Sequence, residues 1–393
     1  MVEDSGWGVA GGGLARLSGC IHFIHGRSVD MNTINVAIVG VGNCAKSLIE
    51  GVAFYARHPN ETVGLIHSTV SGYSVSDISF VAAFDVDERK VGKKLSDAIS
   101  AEPNRTWKIA EPESTDVVVK RGPSCDAIIP QAREFFIHES NKRPVDVAAE
   151  LMTAEAEIVL NYVPTGSDEA TYVYAEAALE AGCSFINCMP TSLARSDIWR
   201  RKFEKKGLVL LGDDIKSQLG ATILNRTLLE LMRRRGARVT KSDQTNFGGN
   251  ADHFNLHFRP HAKEACKESA LRSVLESRDA VPNARMIFTE KNYDHKKAEI
   301  LVSGEVFGRV PVSIIVTLED EDSPNSAGVV VDAIRAARVL RETGQVSRAP
   351  EVAASLMKAP PIQLSEAVAC ARFRKIVGGV EESTSRAKMK SPS

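Results

Sequence analysis

Three features of the sequence predict a doubly wound α/β fold of the Rossmann type, interrupted by a smaller α+β domain. A buried-type strand, Ile34-Asn35-Val36-Ala37-Ile38-Val39, runs into a glycine turn and then a helix. Short apolar runs alternate with helical periodicity as far as Arg235, the pattern of parallel strands joined by crossover helices. Past Arg235 the alternation stops and strand-like stretches follow one another, so a mixed or antiparallel second sheet is expected there.

The first turn reads Gly40-Val41-Gly42-Asn43-Cys44-Ala45. Gly40 permits the tight bend, Gly42 lets a pyrophosphate approach the backbone, and Ala45 packs the next helix on the strand. This makes Gly40, Gly42, Asn43 and Cys44 candidate cofactor contacts; a plain tight turn is the structural alternative, and Cys44 also suits packing. The second strand runs from Ile78 to Asp85, where an acid takes the adenosine ribose hydroxyls. A carboxylate there repels a 2′-phosphate, which favours NAD over NADP. The polar stretch from Pro59 to Asp77 explains why Asp85 comes late, and capping of a helix near Asp87 is its competing reading.

Val117 to Phe136 has no clear period. Val145 to Thr153 reads as a helix and Ile158 to Val163 as a strand, ending in Pro164-Thr165-Gly166-Ser167, where Thr165 and Gly166 are candidate cofactor contacts. Ser167 is placed to cap a helix that Gly182 ends at Ala181. A strand at Ser184 to Ile186 delivers Asn187, Cys188 and Pro190 to a loop, and a helix from Asp197 to Lys206 leads to the apolar run Leu208 to Leu211.

Gly212 to Thr222 therefore sits between a buried strand and the helix Ile223 to Arg235. At the carboxyl ends of strands in an open α/β sheet, helix N–H groups face outward and ligands bind. Asp213, Asp214, Lys216 and Ser217 become site candidates, with N-terminal helix charge the alternative for the two aspartates. Farther on, Val239 to Asn246, Ala298 to Val302 and Val310 to Leu318 read as strands, Asp320 to Ser326 as a turn, and Val329 to Leu340 as one apolar helix side. Val352 to Met357 is the last recognisable element.

The 393-residue length predicts two or three domains. Apolar content of 43% and charged content of 25% are those of a soluble globular protein, and the formal charge of −1 gives no general pull toward nucleic acid or an anionic membrane. Seven cysteines without paired spacing point to a reducing compartment, and no apolar run reaches the roughly 18 residues of a membrane span. Residues 1–30 lack the pattern of a signal peptide and are expected to be a disordered extension, as is the polar tail 381–393.

Several ordered stretches resemble the inositol-3-phosphate synthases, also called myo-inositol-1-phosphate synthases, and among them the shorter bacterial and archaeal type. They are Val39 to Asn43, Gly212 to Gln218, Asn246-Phe247-Gly248-Gly249-Asn250-Ala251-Asp252, Asp322 to Gly328 and Leu356 to Pro361. The resemblance implies a redox-neutral cyclisation of D-glucose 6-phosphate, the first step of inositol biosynthesis, with NAD bound throughout. Oxidation at C5, enolisation, attack on the C1 aldehyde and return of the hydride would follow in turn. Such chemistry calls for ammonium groups beside developing oxyanions, in a site that excludes water.

By the same resemblance Lys263, Lys267, Lys296 and Lys358 are the catalytic lysines, joined by Asp214 and Lys216. Lys263 and Lys267 stand four apart and would share a helix face. Asp213, Ser217, Asp322 and Ser323 fall with the cofactor, Asn250, Asp252 and Asn255 with the substrate, and a cation activator is placed near Asp322. The implied domains are 31–222 for NAD binding, 223–322 for catalysis and tetramerisation, and 323–380 returning to the first; the implied assembly is a cytoplasmic homotetramer. The family usually has serine before each of the first two lysines, whereas Ala262 and Cys266 stand there here. A cyclase for another sugar phosphate such as fructose 6-phosphate is therefore the alternative, and an ordinary NAD oxidoreductase a further one. His253, His257 and His261 have helical zinc spacing, but Pro260 interrupts the helix and no metal site is assigned.

Overall fold

The computed structural model describes residues 32–126, 132–133, 136–258, 261–276 and 282–378, without the side chains of 257, 258 and 261–266. The expected N-terminal extension and C-terminal tail lie outside the described residues, as does part of the region from Val117 to Phe136. All elements below belong to the unit Ile34–Ser393.

Six parallel strands form the first sheet: β1 (Ile34–Val39), β2 (Ile78–Asp85), β3 (Val119–Arg121), β4 (Ile158–Asn161), β5 (Ser184–Asn187) and β6 (Leu210–Leu211). Their spatial order is β3-β2-β1-β4-β5-β6. The order reverses between β1 and β4, which opens a crevice above their carboxyl ends. Strands β1, β4 and β5 are short and buried almost throughout, because helices cover both faces. Five of these helices belong to the first half: α1 (Asn43–Arg57), α2 (Leu95–Ala98), α3 (Val147–Thr153), α4 (Asp168–Ala181) and α5 (Asp197–Lys205). Gly182 ends α4 in the left-handed conformation, as its sequence position predicts. Ser167 stands at the N-cap of α4, yet its side chain makes no capping bond; the Asp126 carboxylate accepts from Glu169 and Ala170 N–H instead.

Helix α6 (Ala221–Arg234) carries the chain to a four-stranded sheet ordered β10-β9-β7-β8, from β7 (Arg238–Gly248), β8 (Asn283–Phe288), β9 (His295–Glu305) and β10 (Pro311–Glu321). Helices α7 (Ala251–Phe258) and α8 (His261–Arg272) form the crossover that lets β8 run parallel to β7. The sheet is mixed, since β9 is antiparallel to both β7 and β10. Ala298, Ile300 and Val302 on β9 pack against Leu229 and Met232 of α6 and Leu271 of α8.

One expectation fails here. Asp320 to Ser326 is no turn: β10 continues to Glu321 and α9 (Asp322–Glu342) begins at the next residue. The acidic and polar residues that suggest a turn in sequence are the start of a helix facing a site. Helix α9 then runs back along α1, and its Val330, Ile334 and Ala337 share a core with Ile34, Leu48 and Ile158. Helices α10 (Ala349–Leu356) and α11 (Glu366–Val377) complete that core through Val352, Phe373 and Ile376.

Helix α9 is tied down by one buried cation. Arg335 donates to the carbonyls of Ser68, Tyr73, His67 and Val331 and to the Asp332 carboxylate, whose other oxygen lies 2.6 Å from His67 Nδ1. The polar stretch before β2 is thus organised around a guanidinium supplied from far along the chain. Arg335→Ala should strand the Asp332 charge and lower unfolding free energy by about 3–5 kcal/mol, read as the shift in urea midpoint at unchanged slope.

Candidate functional site

The turn between β1 and α1 has the geometry its glycines predict. Gly40 has φ +87°, and a Cβ there would come within 2.6 Å of the Tyr162 carbonyl on the neighbouring segment. Gly42 precedes α1, has open space where a Cβ would point, and leads a first turn without acidic side chains. An anion can therefore meet helix N–H groups there without repulsion. Asp85 closes β2 as expected, but its carboxylate also braces the turn: Oδ2 accepts from Val41 N–H at 2.7 Å, and Oδ1 from Val86 and Asp87 N–H. No helix starts near Asp87, since α2 begins at Leu95. A loop folds over the turn, with Asn104 donating to the Val41 carbonyl and Asn43 exchanging bonds with the Arg105 backbone.

These elements wall a cavity of about 280 Å³ lined by Gly40, Gly42, Asn43, Cys44, Asp85, Asp214, Ser217, Asn250, Asp252, Asp322, Ser323 and Lys358 among others. A smaller cavity of about 30 Å³ adjoins it and is lined by Lys267, Lys296, Lys358, Asn246 and His253. The two share Ser217, Asp322 and Lys358. Residues from both sheets and from the returning C-terminal segment thus meet at one place.

The stretch after β6 divides its charges between this place and the interior. Asp214 adopts φ +61°, is buried, and accepts from Lys358 Nζ at 3.0 Å through Oδ1, while Oδ2 is buried without a hydrogen-bond partner. An acceptor held dry beside a cavity is poised for a ligand's donor. Asp213 departs from its expected cofactor role: its carboxylate points inward and accepts from Asn187 Nδ2, Ala194 N–H and Arg195. Lys216 lines the smaller cavity, but its ammonium is engaged within the protein. Its ammonium donates to the Ala354 carbonyl and to both oxygens of Glu366, so its donors are spent inside the protein.

Lys296 on β9 reaches the Asp322 carboxylate at 2.5 Å and lies 3.7 Å from Asp320. Lys267 on α8 is buried, with Nζ 2.7 Å from Met286 Sδ. Lys263 falls on the same helix, but its side chain is outside the described residues, as are those of Ala262, Cys266, His257 and His261. Asp252 lines the larger cavity and accepts from the Thr165 hydroxyl. Thr165 therefore acts on Asp252 rather than on the cavity; Gly166 and the buried Asn255 line neither cavity. Among the described residues no group of three or more His, Cys, Asp and Glu side chains is arranged to hold a metal ion.

Two residues that the motifs do not single out belong to the site. Asp294 gathers Asn43 Nδ2, Asn250 Nδ2, the Thr106 hydroxyl, and both the N–H and hydroxyl of Ser323. It joins the cofactor-type turn to the second sheet and the start of α9. Burial, then the Asp322 charge, push its pKa up despite these donors. Burial and the Asp294 charge likewise push the Cys44 thiol up to about 12, so it stays protonated and can donate to Ser323 Oγ at 3.7 Å. Tyr162 lines the larger cavity, and its hydroxyl is buried without a partner. Asp294 sits two residues before Lys296 in sequence, which is the signal that marks it; Tyr162 carries none.

Fold and cavity together define an α/β protein of the Rossmann type whose crevice opens onto amines from α8, β9 and the returning segment. A family model for myo-inositol-1-phosphate synthase matches residues 220–323. The inositol-3-phosphate synthase of Mycolicibacterium smegmatis is 42% identical over 357 residues, covering 88% of this chain and 98% of that one. That of Corynebacterium glutamicum is 42% identical over 361 residues, with the same coverage of 88% and 98%. Of the solved structures, that of Ari2 is 33% identical with a TM-score of 0.70, covering 88% of this chain and 98% of its own. The chain belongs to the inositol-3-phosphate synthase family.

Burial is the chief cause raising the Asp213 pKa above the usual 3.8, against the donors that pull it down. A carboxyl raised on folding lends stability that is complete below its unfolded value and is lost as pH climbs through the folded one. The stability of wild type relative to Asp213→Asn should therefore fall between about pH 4 and pH 7. Paired urea titrations at the two pH values measure it.

Proposed function

We propose that this protein converts D-glucose 6-phosphate to 1D-myo-inositol 3-phosphate, using NAD that is reduced and reoxidised within each turnover. The observation that carries the reading is the shared wall of the two cavities, where Lys358, Asp322 and Ser217 face both. The cofactor fits the residues present: Gly42 leaves the cradle open, the start of α1 faces the pyrophosphate, Asp85 marks the ribose end, and Asp214 Oδ2 offers a free acceptor. When bound it supplies the hydride acceptor that makes C5 a ketone and later returns the hydride.

The chain's own residues do the rest. Lys267, Lys296 and Lys358, joined by Lys263 as the family resemblance implies, hold the sugar phosphate and neutralise the oxygens that become enolate and alkoxide. Asp214 fixes the Lys358 ammonium, and Asp322 that of Lys296, so each charge is aimed before the substrate arrives. Asn250 and Asp252 stand where substrate hydroxyls would meet the cavity wall.

The proposal extends to a cation activator near Asp322, whose carboxylate lies beside Lys296, with Asp320 also within reach of that ammonium. It extends also to a cytoplasmic homotetramer built through the second sheet, whose edge strand β10 leaves Ile315 79% exposed. The free thiols and the absence, among the described residues, of any helix long and apolar enough to cross a membrane agree with that compartment. Ala262 and Cys266 favour a second reading, cyclisation of a ketose phosphate such as fructose 6-phosphate.

Incubated with NAD and glucose 6-phosphate, the enzyme should give inositol phosphate by NMR with no growth of NADH absorbance. Cyclic product from fructose 6-phosphate alone would support the ketose reading, and accumulating NADH an ordinary oxidoreductase. Lys296→Ala and Lys358→Ala should each lower kcat by on the order of 10²–10³. Gly42→Ala should weaken NAD binding without changing the melting temperature, whereas Gly40→Ala should lower both, by calorimetric titration and thermal unfolding.

A further inference from the structure

The buried cluster behind the amine cavity has an unusual composition. Glu366, at the start of α11, meets two cations: Lys216 Nζ at 3.0 Å and Arg226 at 3.0 Å. Both cations are almost fully buried, and Arg226 also donates to the Leu364 carbonyl. Burial holds the Lys216 pKa down, and the Glu366 carboxylate is the chief influence acting the other way. A structural ion pair elsewhere in the fold would end the matter there.

This one is wired to the proposed active site. Lys216 N–H donates to the Leu356 carbonyl, Ile215 bridges Met357, and Lys358 N–H donates to the Asp214 carbonyl. Asp213 and Ala359 exchange both backbone bonds. The segment 213–216 is thereby stitched antiparallel to 356–359, and the stitch sets Lys358 Nζ 3.0 Å from Asp214 Oδ1. Lys216 Nζ ends the stitch by gripping Ala354 on one side and Glu366 on the other. We propose that Glu366, acting through Lys216, is a positioning residue that holds Lys358 against Asp214 for the reaction. Glu366 lines neither cavity, and Lys216, which lines the smaller one, turns its ammonium to Ala354 and Glu366. The idea rests on the reading of Lys358 as catalytic given above.

Glu366→Gln leaves two buried cations facing a neutral amide, which frees Lys216 and loosens the stitch. Lys216→Met leaves Glu366 and Arg226 as a balanced pair and cuts only the link to 354–366, so it serves if Glu366→Gln does not fold. Both should lower kcat at least tenfold with KM for the sugar phosphate and NAD affinity within about twofold of wild type. Glu366→Asp should restore part of the loss. Arg226→Met keeps the Lys216–Glu366 pair and should retain kcat even where it lowers the melting temperature. Labelling by acetic anhydride, followed residue by residue in a mass spectrometer, gives a readout that needs no turnover: Lys358 should react faster in Glu366→Gln and Lys216→Met than in wild type or Arg226→Met. Unchanged kcat and unchanged Lys358 labelling in a folded variant would overturn the positioning role, as would kcat losses that merely track melting temperature across all variants. Faster Lys358 labelling with wild-type turnover would leave Glu366 its grip on the lysine and remove instead the catalytic assignment of Lys358.

Discussion

The arrangement depends on a short antiparallel stitch between segments nearly 150 residues apart in the chain, seen in the Lys358–Asp214 bond whose partners are separated by 144 positions. Four backbone bonds across 213–216 and 356–359 join the end of the first sheet to the end of the return segment. Backbone bonds of this kind fix side chains in register, so the left-handed Asp214 and Lys358 face each other without either needing to search. Asp213 turned inward is the counterpart of Asp214 turned outward. Two adjacent acids serve two purposes: Asn187, Ala194 and Arg195 hold the Asp213 carboxylate inside, while that of Asp214 meets Lys358 at the cavity.

The second constraint is the direct passage from β10 into α9. A strand of the second sheet and a long helix in the core beneath the first share one peptide junction, and Asp322 and Ser323 lie at it. Asp294 collects Asn43, Thr106, Asn250 and Ser323 onto one carboxylate at the same point. The crevice is thus closed by a hub that belongs to neither sheet alone. Desolvating that hub is costly, and its raised pKa records the cost. A protein keeps such a group where geometry matters more than stability.

Most of the scaffold was legible because its signals are local. The Gly40 to Ala45 turn, the strand ending on Asp85, and the βαβ alternation each follow from period and turn chemistry within a dozen residues. What was hidden is nonlocal. Strand β8 carries Asn283 and Arg285 and acquires its identity only by pairing parallel to β7 after a two-helix crossover. Helix α11 has the stripe Ala369, Phe373, Ile376 and Val377, but Arg372, Arg374 and Lys375 dilute it. Lys216 and Asp213 lie within the family motif, and the motif alone gives no indication that the Lys216 ammonium and the Asp213 carboxylate are held by partners inside the protein. That depends on Glu366 and Asn187, which sit far off in sequence and carry no motif of their own.

The late position of Lys358 has a consequence for biosynthesis. The first sheet and its glycine turn are complete in the nascent chain long before residue 358 leaves the ribosome, and the helix that braces it, α11, emerges later still. The core beneath that sheet is nevertheless finished only by α9, α10 and α11, so the crevice takes its final shape when the last of the chain arrives. On the proposed role of Lys358, interrupted synthesis would yield an inert polypeptide instead of a half-competent catalyst.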